Sequence, residues 1–500
     1  MGNRDTPHTG SAAFSVGKAL DEAPRSRFHL RAVIVSGAGF FTDAYDLFVI
    51  SIVAALVAKG WHLSTAEKSW VTGSAILGAF VGALVLGRVA DRLGRKSVYA
   101  AVAGIMIFGA LLSAFATGWI FLVVARFILG VGIGGDYPVS AVLMSEYSNR
   151  ADRGRMVGLV FSMQALGLIV GPLVALGLLS SGASHDTTWR LLLGLGAVPA
   201  ATVLWLRARM PESPRFEAHV RGYSAESASA LERFSEGVVS LDGAGFTGAA
   251  DATVADPGML APSGAIRELL KNRSLLRLVL GTAGSWLLFD YAYYGNTLSL
   301  PAILKKVAPS SSLDQQLLFT LGLFVVCALP GYLLAVKHMD RIGHKRLQLI
   351  GFAVMAATFL VLGAVPVLTT LIAPFLVIFG VSYLFIEFGP NTTTFVLPSE
   401  LFPVRLRTTG HGIAASIGKL GAFIGVFLVP ALQDSIGLRG MLLIAAGAAA
   451  AGLGLTLLLP EPARRSLDEM DALILGRHGA GSGLGAPAVA GEMAVGGRVS

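Results

Sequence analysis

The chain has 500 residues, of which 54% are hydrophobic and only 14% are charged, and its mean hydropathy is +0.68. Soluble domains average about 45–50% apolar and about 25% charged residues, so this composition excludes an ordinary soluble protein and predicts a polytopic membrane protein. The formal net charge of +8 comes from bases scattered between apolar stretches. No basic run alternates with stacking aromatic residues, which argues against nucleic-acid binding.

Twelve apolar stretches are long enough to cross roughly 30 Å of hydrocarbon as helices. In chain order they lie near 31–58, 70–90, 97–116, 119–142, 156–180, 189–207, 274–300, 315–337, 347–366, 369–396, 408–431 and 439–459. The sequence therefore predicts an all-α protein with 12 transmembrane helices in two six-helix bundles. The bundles would be residues 31–207 and 274–459, joined by a flexible cytoplasmic loop at 208–273 and flanked by cytoplasmic tails at 1–30 and 460–500.

Most of the 39 Lys and Arg residues fall on the same side of this arrangement as both termini. The positive-inside rule then predicts cytoplasmic termini and a multi-pass protein of the plasma membrane, or of the inner membrane if the source is bacterial. The first stretch has no cleavage site and should be retained. The single cysteine, Cys327, excludes an internal disulfide and a thiolate cluster.

The two predicted bundles contain copies of the same short motifs. GRVADRLGRKS at 87–97 is echoed at 336–346, MPESPRF at 210–216 is echoed at 459–465, and SEYSNRADRG at 145–154 is echoed at 399–410. Duplicated six-helix halves with both termini inside resemble the major facilitator superfamily. That resemblance implies charge pairs that latch one conformation at the cytoplasmic face, although ordinary positive-inside loops are an alternative. The candidate gating residues are Asp91, Arg92, Arg95, Asp340, Arg341, Glu146, Arg153, Glu400 and Arg407.

Several polar side chains interrupt the apolar stretches. They are Asp43, Asp46, Asp136, Tyr137, Gln164, Trp286, Asp290, Tyr294, Asn391 and Lys419. An unpaired acid near the centre of a span costs on the order of 3 kcal/mol, so such residues indicate a translocation pathway. Positions three or four apart share a helix face, which groups Asp43 with Asp46 and Asp290 with Tyr294.

Structural interpretations of these residues remain open. The acids can pair with Lys419 or Arg126, or Arg126 can extend to an interface. Trp286 and Tyr294 fit an interfacial belt, Gln164 and Asn391 fit simple helix–helix hydrogen bonds, and His411 fits an interfacial histidine better than a pH sensor. A G-x-G-x-x-G pattern at 130–135 lies inside an apolar helix, so it predicts close helix packing at residues 130 and 134 rather than nucleotide binding.

Four segments together resemble the phosphate:proton symporter family of the major facilitator superfamily. They are FFTDAYDLF, GGDYPVSAVLMSEYSNRADRG, the Trp286–Asp290–Tyr294 set and FGPNTTTFVLPSELFPVRLRTTGHGIAASIGKLGA. The resemblance covers about residues 31–460. It implies phosphate binding by Tyr137, Gln164, Trp286, Asp290, Tyr294 and Asn391, and proton coupling through Asp43, Asp46, Asp136 and Lys419.

The chemistry of the anion is compatible with an acidic residue in its site. Dihydrogen phosphate keeps hydrogen-bond donors at neutral pH and sulfate does not, so the Asp290 carboxylate can accept from phosphate and discriminate against sulfate. The predicted partners are therefore inorganic phosphate, protons and the lipid bilayer, with no nucleic acid and no obligate protein partner.

Other functions fit part of the sequence. MPESPRF and the Asp-Arg-x-Gly motif also occur in proton-coupled sugar and organic-acid porters of the same superfamily, and a non-transporting phosphate receptor would use the same scaffold. Neither a metal-ligand cluster nor a P-loop or nucleophile motif is present in the sequence, so no metal site, no cofactor and no enzymatic activity are predicted.

Overall fold

A computed structural model describes residues 27–93, 95–207, 232, 262–403 and 406–475 of the chain. Throughout these residues the regular secondary structure is helical. The predictions for most of both tails, for the greater part of the 208–273 loop and for MPESPRF lie outside the described residues. The side chains of Asp91, Arg92 and Arg95 are also outside them.

Twelve long helices follow one another in the predicted order. They are α1 (Arg27–Gly60), α2 (Thr65–Leu93), α3 (Arg95–Ala114), α4 (Trp119–Tyr147), α5 (Arg153–Ser180), α6 (His185–Arg207), α7 (Arg273–Leu298), α8 (Leu313–Ile342), α9 (His344–Ala364), α10 (Ile372–Leu401), α11 (Arg407–Ser435) and α12 (Gly437–Thr456). All except α7 are apolar enough over their length to be recognised as membrane spans by composition. Shorter helices cover Pro262–Lys271, Leu300–Val307 and Leu467–Leu475, with a 3-10 turn at Pro366–Thr369.

Several helices extend beyond the predicted spans. α4 continues to Tyr147 and α10 to Leu401, about one turn past the ends at 142 and 396. The sequence prediction ended each span at the end of its apolar run. The helices continue because the polar residues of their last turns are buried between the two halves rather than exposed to lipid.

Four of the long helices are interrupted near their middle. α5 breaks at Met163, α6 at Gly196 and α10 at Gly389, and α8 contains a π-helical turn at Phe324–Ala328. Irregular backbone at membrane depth is tolerated where it is buried in protein or lines a cavity, and π-turns are frequent at functional sites. The backbone is therefore irregular near the middle of these four helices, where several of the predicted polar residues also lie.

Glycines set the helix packing within each half. A Cβ added at Gly130 or Gly134 of α4 would overlap the carbonyl oxygens of Ala75 and Ala79 in α2. The predicted close approach at residues 130 and 134 is thus confirmed. In the second half, Gly421 and Gly425 of α11 pack in the same way on the backbone of α7 at Leu287 and Tyr291. Small residues four apart let helix backbones meet where lipid offers no hydrophobic driving force.

The two halves, 27–207 and 273–475, pack on each other along their whole length. α2 packs on α11, and α5 packs on α8. We call the end of the helices near residues 93–95, 147–153, 342–344 and 401–407 the basic end. There Ser145 Oγ donates to the Ser399 carbonyl at 3.1 Å. At the opposite end Trp70 meets Phe427 edge-on, with ring centroids 4.9 Å apart. The two halves are therefore in contact at both ends.

Candidate functional site

Asp136 and Arg207 form a buried ion pair in the first half. Arg207 Nη2 lies 2.7 Å from one carboxylate oxygen of Asp136 and 2.8 Å from the other, and both side chains have 0% exposure. Ser140 Oγ donates to the same carboxylate at 2.9 Å, and the guanidinium stacks on the Tyr99 ring at 3.6 Å. Gly39 of α1 leaves room for this pair, because a Cβ there would overlap both charged groups.

Asp46 of α1 and Arg126 form a second buried ion pair. Arg126 Nη1 lies 3.4 Å from the Asp46 carboxylate, and Arg126 Nη2 donates to the Asp46 backbone carbonyl. Arg126 is fully buried, so the alternative in which it extends to an interface is wrong. Gly196, where α6 is interrupted, allows this approach: a Cβ there would lie 2.6 Å from Asp46 Oδ1.

Asp43 is buried without a hydrogen-bonding partner. Its exposure is 0%, and neither carboxylate oxygen has a partner among the described residues. It lies one helical turn from Gly39, beside the Asp136–Arg207 pair, and within electrostatic reach of Lys419. A buried carboxyl group with no cation bound to it is the arrangement expected of a group that takes up and releases a proton.

In the second half Lys419 of α11 pairs with Asp290 of α7. Lys419 Nζ lies 3.0 Å from Asp290 Oδ2 and 3.1 Å from the Tyr294 hydroxyl. The ammonium also lies over the Tyr137 ring of the first half, 4.6 Å from its centroid. The shared helix face predicted for Asp290 and Tyr294 is thus used to bind one cation at the interface between the halves.

A chain of hydrogen bonds crosses from one half to the other. Gln164 Nε2 donates to the Tyr137 hydroxyl at 3.3 Å, and Gln164 Oε1 accepts from the Tyr332 hydroxyl of α8 at 2.9 Å. Asn391 Nδ2 donates to Tyr332 Oη at 2.7 Å and also to Glu387 Oε2. Gln164 and Asn391 stand beside the breaks in α5 and α10, so the interrupted backbones bring both amides into the interface.

Aromatic rings bound this polar region on two sides. Toward the basic end, Phe40 packs on Phe395 at 4.9 Å and Phe395 stacks on Phe161 at 4.6 Å. Toward the opposite end, Phe48 of the first half stacks on Tyr294 of the second at 5.5 Å. Each layer joins residues of both halves, so both layers must separate when the halves move apart.

Trp286 and His411 are not interfacial residues. Trp286 is 2% exposed and lies 6.3 Å from the Tyr137 ring, and its indole is within hydrogen-bonding reach of Asp290. His411 is fully buried, with Nε2 3.0 Å from the Phe395 carbonyl and its ring 5.7 Å from that of Trp286. The interfacial prediction for His411 is therefore wrong, because α11 turns this face toward α7 and α10 rather than toward lipid.

The candidate gating residues lie at helix ends rather than in loops. Asp340 Oδ2 accepts from the Arg155 backbone N–H of the first half at 3.0 Å, and Asp340 Oδ1 lies 3.2 Å from His344 Nε2. The other ring nitrogen of His344 lies 3.0 Å from Glu400. Arg153 Nη1 donates to the Arg465 carbonyl at 3.2 Å, and Arg407 lies 3.8 Å from Asp471. Glu146 is buried in the last turn of α4.

A cavity of about 1030 Å³ opens between the halves at the basic end. Its walls carry Arg150, Arg155, Lys337, Arg341 and Arg464, with the acids Asp152 and Asp340. Its walls thus carry more bases than acids, and this charge favours anions near the basic end.

Sequence reasoning missed three residues of this region. Arg207 resembles a base at the end of a span, but it is buried against Asp136. Tyr332 and Glu387 lie in strongly apolar stretches and hydrogen-bond to Asn391. For Glu387 a signal was available, since an acid in an apolar stretch carries the same cost as Asp43 or Asp290.

Two halves of membrane-spanning helices around a buried polar centre, with broken helices at mid-membrane, are the architecture of a secondary transporter. Residues 31–474 match the family described as "Sugar (and other) transporter", and the chain belongs to that family. Transporter membership agrees with the prediction that the chain is not an enzyme.

Relatives with similarity over most of the chain are named as inorganic phosphate transporters. "Inorganic phosphate transporter 1-6" of Oryza sativa subsp. japonica is 36% identical over 90% of this chain and 94% of its own length. "Probable inorganic phosphate transporter 1-6" of Arabidopsis thaliana is 34% identical over 91% and 96%. The predicted relation to phosphate transporters of the major facilitator superfamily is confirmed.

A solved structure confirms the predicted fold. The proton:xylose symporter XylE of the major facilitator superfamily, bound to 6-bromo-6-deoxy-D-glucose, superposes with a TM-score of 0.77 at 20% identity, over 90% of this chain and 100% of that one. The multi-pass membrane topology predicted from composition follows from this fold.

Proposed function

We propose that the protein imports inorganic phosphate together with protons across the plasma membrane, by alternating access of its two halves to the central site. The observation that carries the proposal is the connected set of hydrogen-bonding groups from both halves that leads to Lys419: Tyr137, Gln164, Asp290, Tyr294 and Asn391. The names of the relatives as inorganic phosphate transporters support it.

Lys419 supplies the cation for the anion. An ammonium has three N–H donors. Two of them are used by Asp290 and Tyr294, and the third faces Tyr137, where a phosphate oxygen can take the place of the phenol. Asp290 neutralises much of this charge and accepts from a protonated phosphate oxygen. A site with one shared cation binds a monovalent anion and also releases it, whereas several unpaired cations would hold it too tightly to turn over.

Asp43 is the proposed entry point of the coupled proton. Asp46, Asp136 and Asp290 each have a basic partner in this structure, and Asp43 has none among the described residues. Asp43 takes up a proton while the site faces outward and releases it to water when the site faces inward. Its position next to Asp136–Arg207 and within reach of Lys419 couples the release to movement of those charges.

The test is uptake of labelled phosphate into proteoliposomes under a pH gradient. Asp43→Asn should lower accumulation against a gradient and leave phosphate exchange across the membrane intact, because exchange needs no net proton movement. Asp290→Asn should weaken phosphate affinity roughly 10–100-fold, the value of a hydrogen bond to a charged group. Asp434→Asn, at an exposed pair with Lys306, is the control and should behave as wild type.

Three results would contradict the proposal. They are concentrative uptake by Asp43→Asn equal to that of wild type, unchanged affinity in Asp290→Asn, and phosphate binding without flux, which would indicate a receptor. The name of the matched family favours a sugar as the second candidate substrate. Arsenate should compete with phosphate and excess xylose should not; the reverse pattern would assign the chain to the sugar porters.

A further inference from the structure

Glu387 of α10 is a buried acid to which the phosphate site assigns no role. Its exposure is 0%, and it lies two residues before Gly389, where α10 is interrupted. Among the described residues no Lys, Arg or His lies within ion-pair distance of its carboxylate. In this respect it is the second-half counterpart of Asp43, whereas Asp290 is neutralised by Lys419.

The surroundings of Glu387 are polar but uncharged. Asn391 Nδ2 donates to its Oε2, and the Tyr332 and Tyr293 hydroxyls face its carboxyl group from α8 and α7. Tyr383, on its own helix, is the other titratable group close to it. The remaining oxygen, Oε1, and the Tyr293 hydroxyl are buried without a hydrogen-bonding partner. α8 approaches closely at Gly331, where a Cβ would lie 2.9 Å from Glu387 Cβ.

These surroundings can stabilise both the neutral and the ionised form of the Glu387 carboxyl group. With no cation nearby, burial favours the neutral acid while the site is closed. The Asn391 amide and the Tyr293 hydroxyl can donate to the carboxylate, and the Tyr332 hydroxyl can do so once its hydrogen bond to Gln164 breaks. Two or three such hydrogen bonds stabilise the ionised form on the return of the empty carrier. An acid paired with an arginine would stay ionised, and an acid among apolar side chains would have no donors to stabilise its ionised form.

Glu387 is also connected to the proposed phosphate site. Through Asn391 and Tyr332 it reaches Gln164 and Tyr137 of the first half by consecutive hydrogen bonds. Separation of the halves breaks the Gln164–Tyr332 bond and opens this chain to water. Hydration of the carboxyl group is therefore tied to the same motion that exposes the substrate.

We propose that Glu387 is a second proton carrier of this transporter. Its O–H bond forms with a proton from the outer solution and breaks to water on the inner side, in step with Asp43. The inference rests on the proposed phosphate–proton symport and adds its stoichiometry. Two protons moving with one monovalent phosphate carry one net positive charge inward, so import responds to the membrane potential.

The experiment compares wild type, Glu387→Gln and Glu67→Gln in proteoliposomes, with the potential set by a potassium gradient and valinomycin. Glu67, at the start of α2, accepts from Ser64 and serves as a control carboxyl group outside the site. In wild type and Glu67→Gln, an inside-negative potential of about 100 mV should increase phosphate accumulation by up to about fiftyfold, the factor expected for one elementary charge moving through it. In Glu387→Gln this increase should vanish, while accumulation driven by the pH gradient and phosphate exchange both persist.

The possible outcomes separate the two proposals. Absence of phosphate uptake by wild type defeats the proposed function itself. Uptake by wild type with no response to potential, or an equal response in Glu387→Gln, defeats only the role of Glu387. Loss of phosphate exchange in Glu387→Gln also overturns it, because the residue would then be needed for binding or folding rather than for carrying a proton.

Discussion

Removal of the Lys419 charge tests the ion pair at the centre of the structure. Lys419 and Asp290 are 2% and 1% exposed and their charged atoms lie 3.0 Å apart. In Lys419→Met the Asp290 carboxylate remains buried without its cation. Loss of one partner of a buried pair costs about 3–5 kcal/mol, so the folded-to-unfolded ratio should fall by more than about a hundredfold.

The double variant Asp290→Asn/Lys419→Met separates this cost from ordinary packing. With both charges removed, no unpaired ion remains, and a neutral pair of similar volume is often as stable as the ion pair. We expect the double variant to recover about 2–3 kcal/mol relative to the sum of the two single variants. Equilibrium unfolding in mixed detergent micelles, followed by tryptophan fluorescence, measures all four proteins of the cycle.

Function should not recover with stability. The double variant lacks the cation proposed for the anion, so its phosphate affinity should stay roughly 10–100-fold below wild type. A Lys419→Met protein as stable as wild type to within about 0.5 kcal/mol, or strictly additive single variants, would refute the reasoning, because a buried pair of this geometry cannot lose one charge without cost.

Two further predictions concern the first half. Arg207→Gln leaves Asp136 buried without its cation and should destabilise the protein by about 3–5 kcal/mol. The control Lys306→Gln, at an exposed ion pair, should change stability by less than about 0.5 kcal/mol. Similar values for the two variants in the same unfolding assay would contradict a buried Asp136–Arg207 pair. Gly134→Ala places a Cβ against the Ala79 carbonyl and should lower the free energy of unfolding by about 1–3 kcal/mol. The control Gly104→Ala, with open space around it, should be neutral or stabilise by up to about 1 kcal/mol. Equal effects of the two substitutions would argue against close packing of α2 on α4.

The sequence predicted the twelve spans and the polar residues of the centre because both depend on local chemistry. A run of about 20 apolar residues must cross the bilayer as a helix, whatever its neighbours are. An acid such as Asp43 or Asp290 within that run is costly wherever the helix packs, so it marks a functional position. Neither argument requires knowledge of which helices touch.

Only the tertiary structure shows which of these residues pair with one another. The hydrogen bond from Arg207 to Asp136 joins residues 71 apart in the chain, that from Lys419 to Asp290 joins residues 129 apart, and that from Tyr332 to Gln164 joins residues 168 apart. Nothing in the spacing of the residues distinguishes these pairs from others. For the same reason Asp136 and Asp43 look equivalent in the sequence, although one is paired and the other is not.

The sequence by itself thus determined that the chain spans the membrane as helices and that acids and amides lie at mid-membrane, since the cost of placing each residue in hydrocarbon is a property of that residue. Only the tertiary structure decided which charges neutralise one another and which carboxyl groups, Asp43 and Glu387, have no ion-pair partner among the described residues. The energy of a charge in a low-dielectric interior depends on the distance to its partner, and that distance is set by how the helices pack.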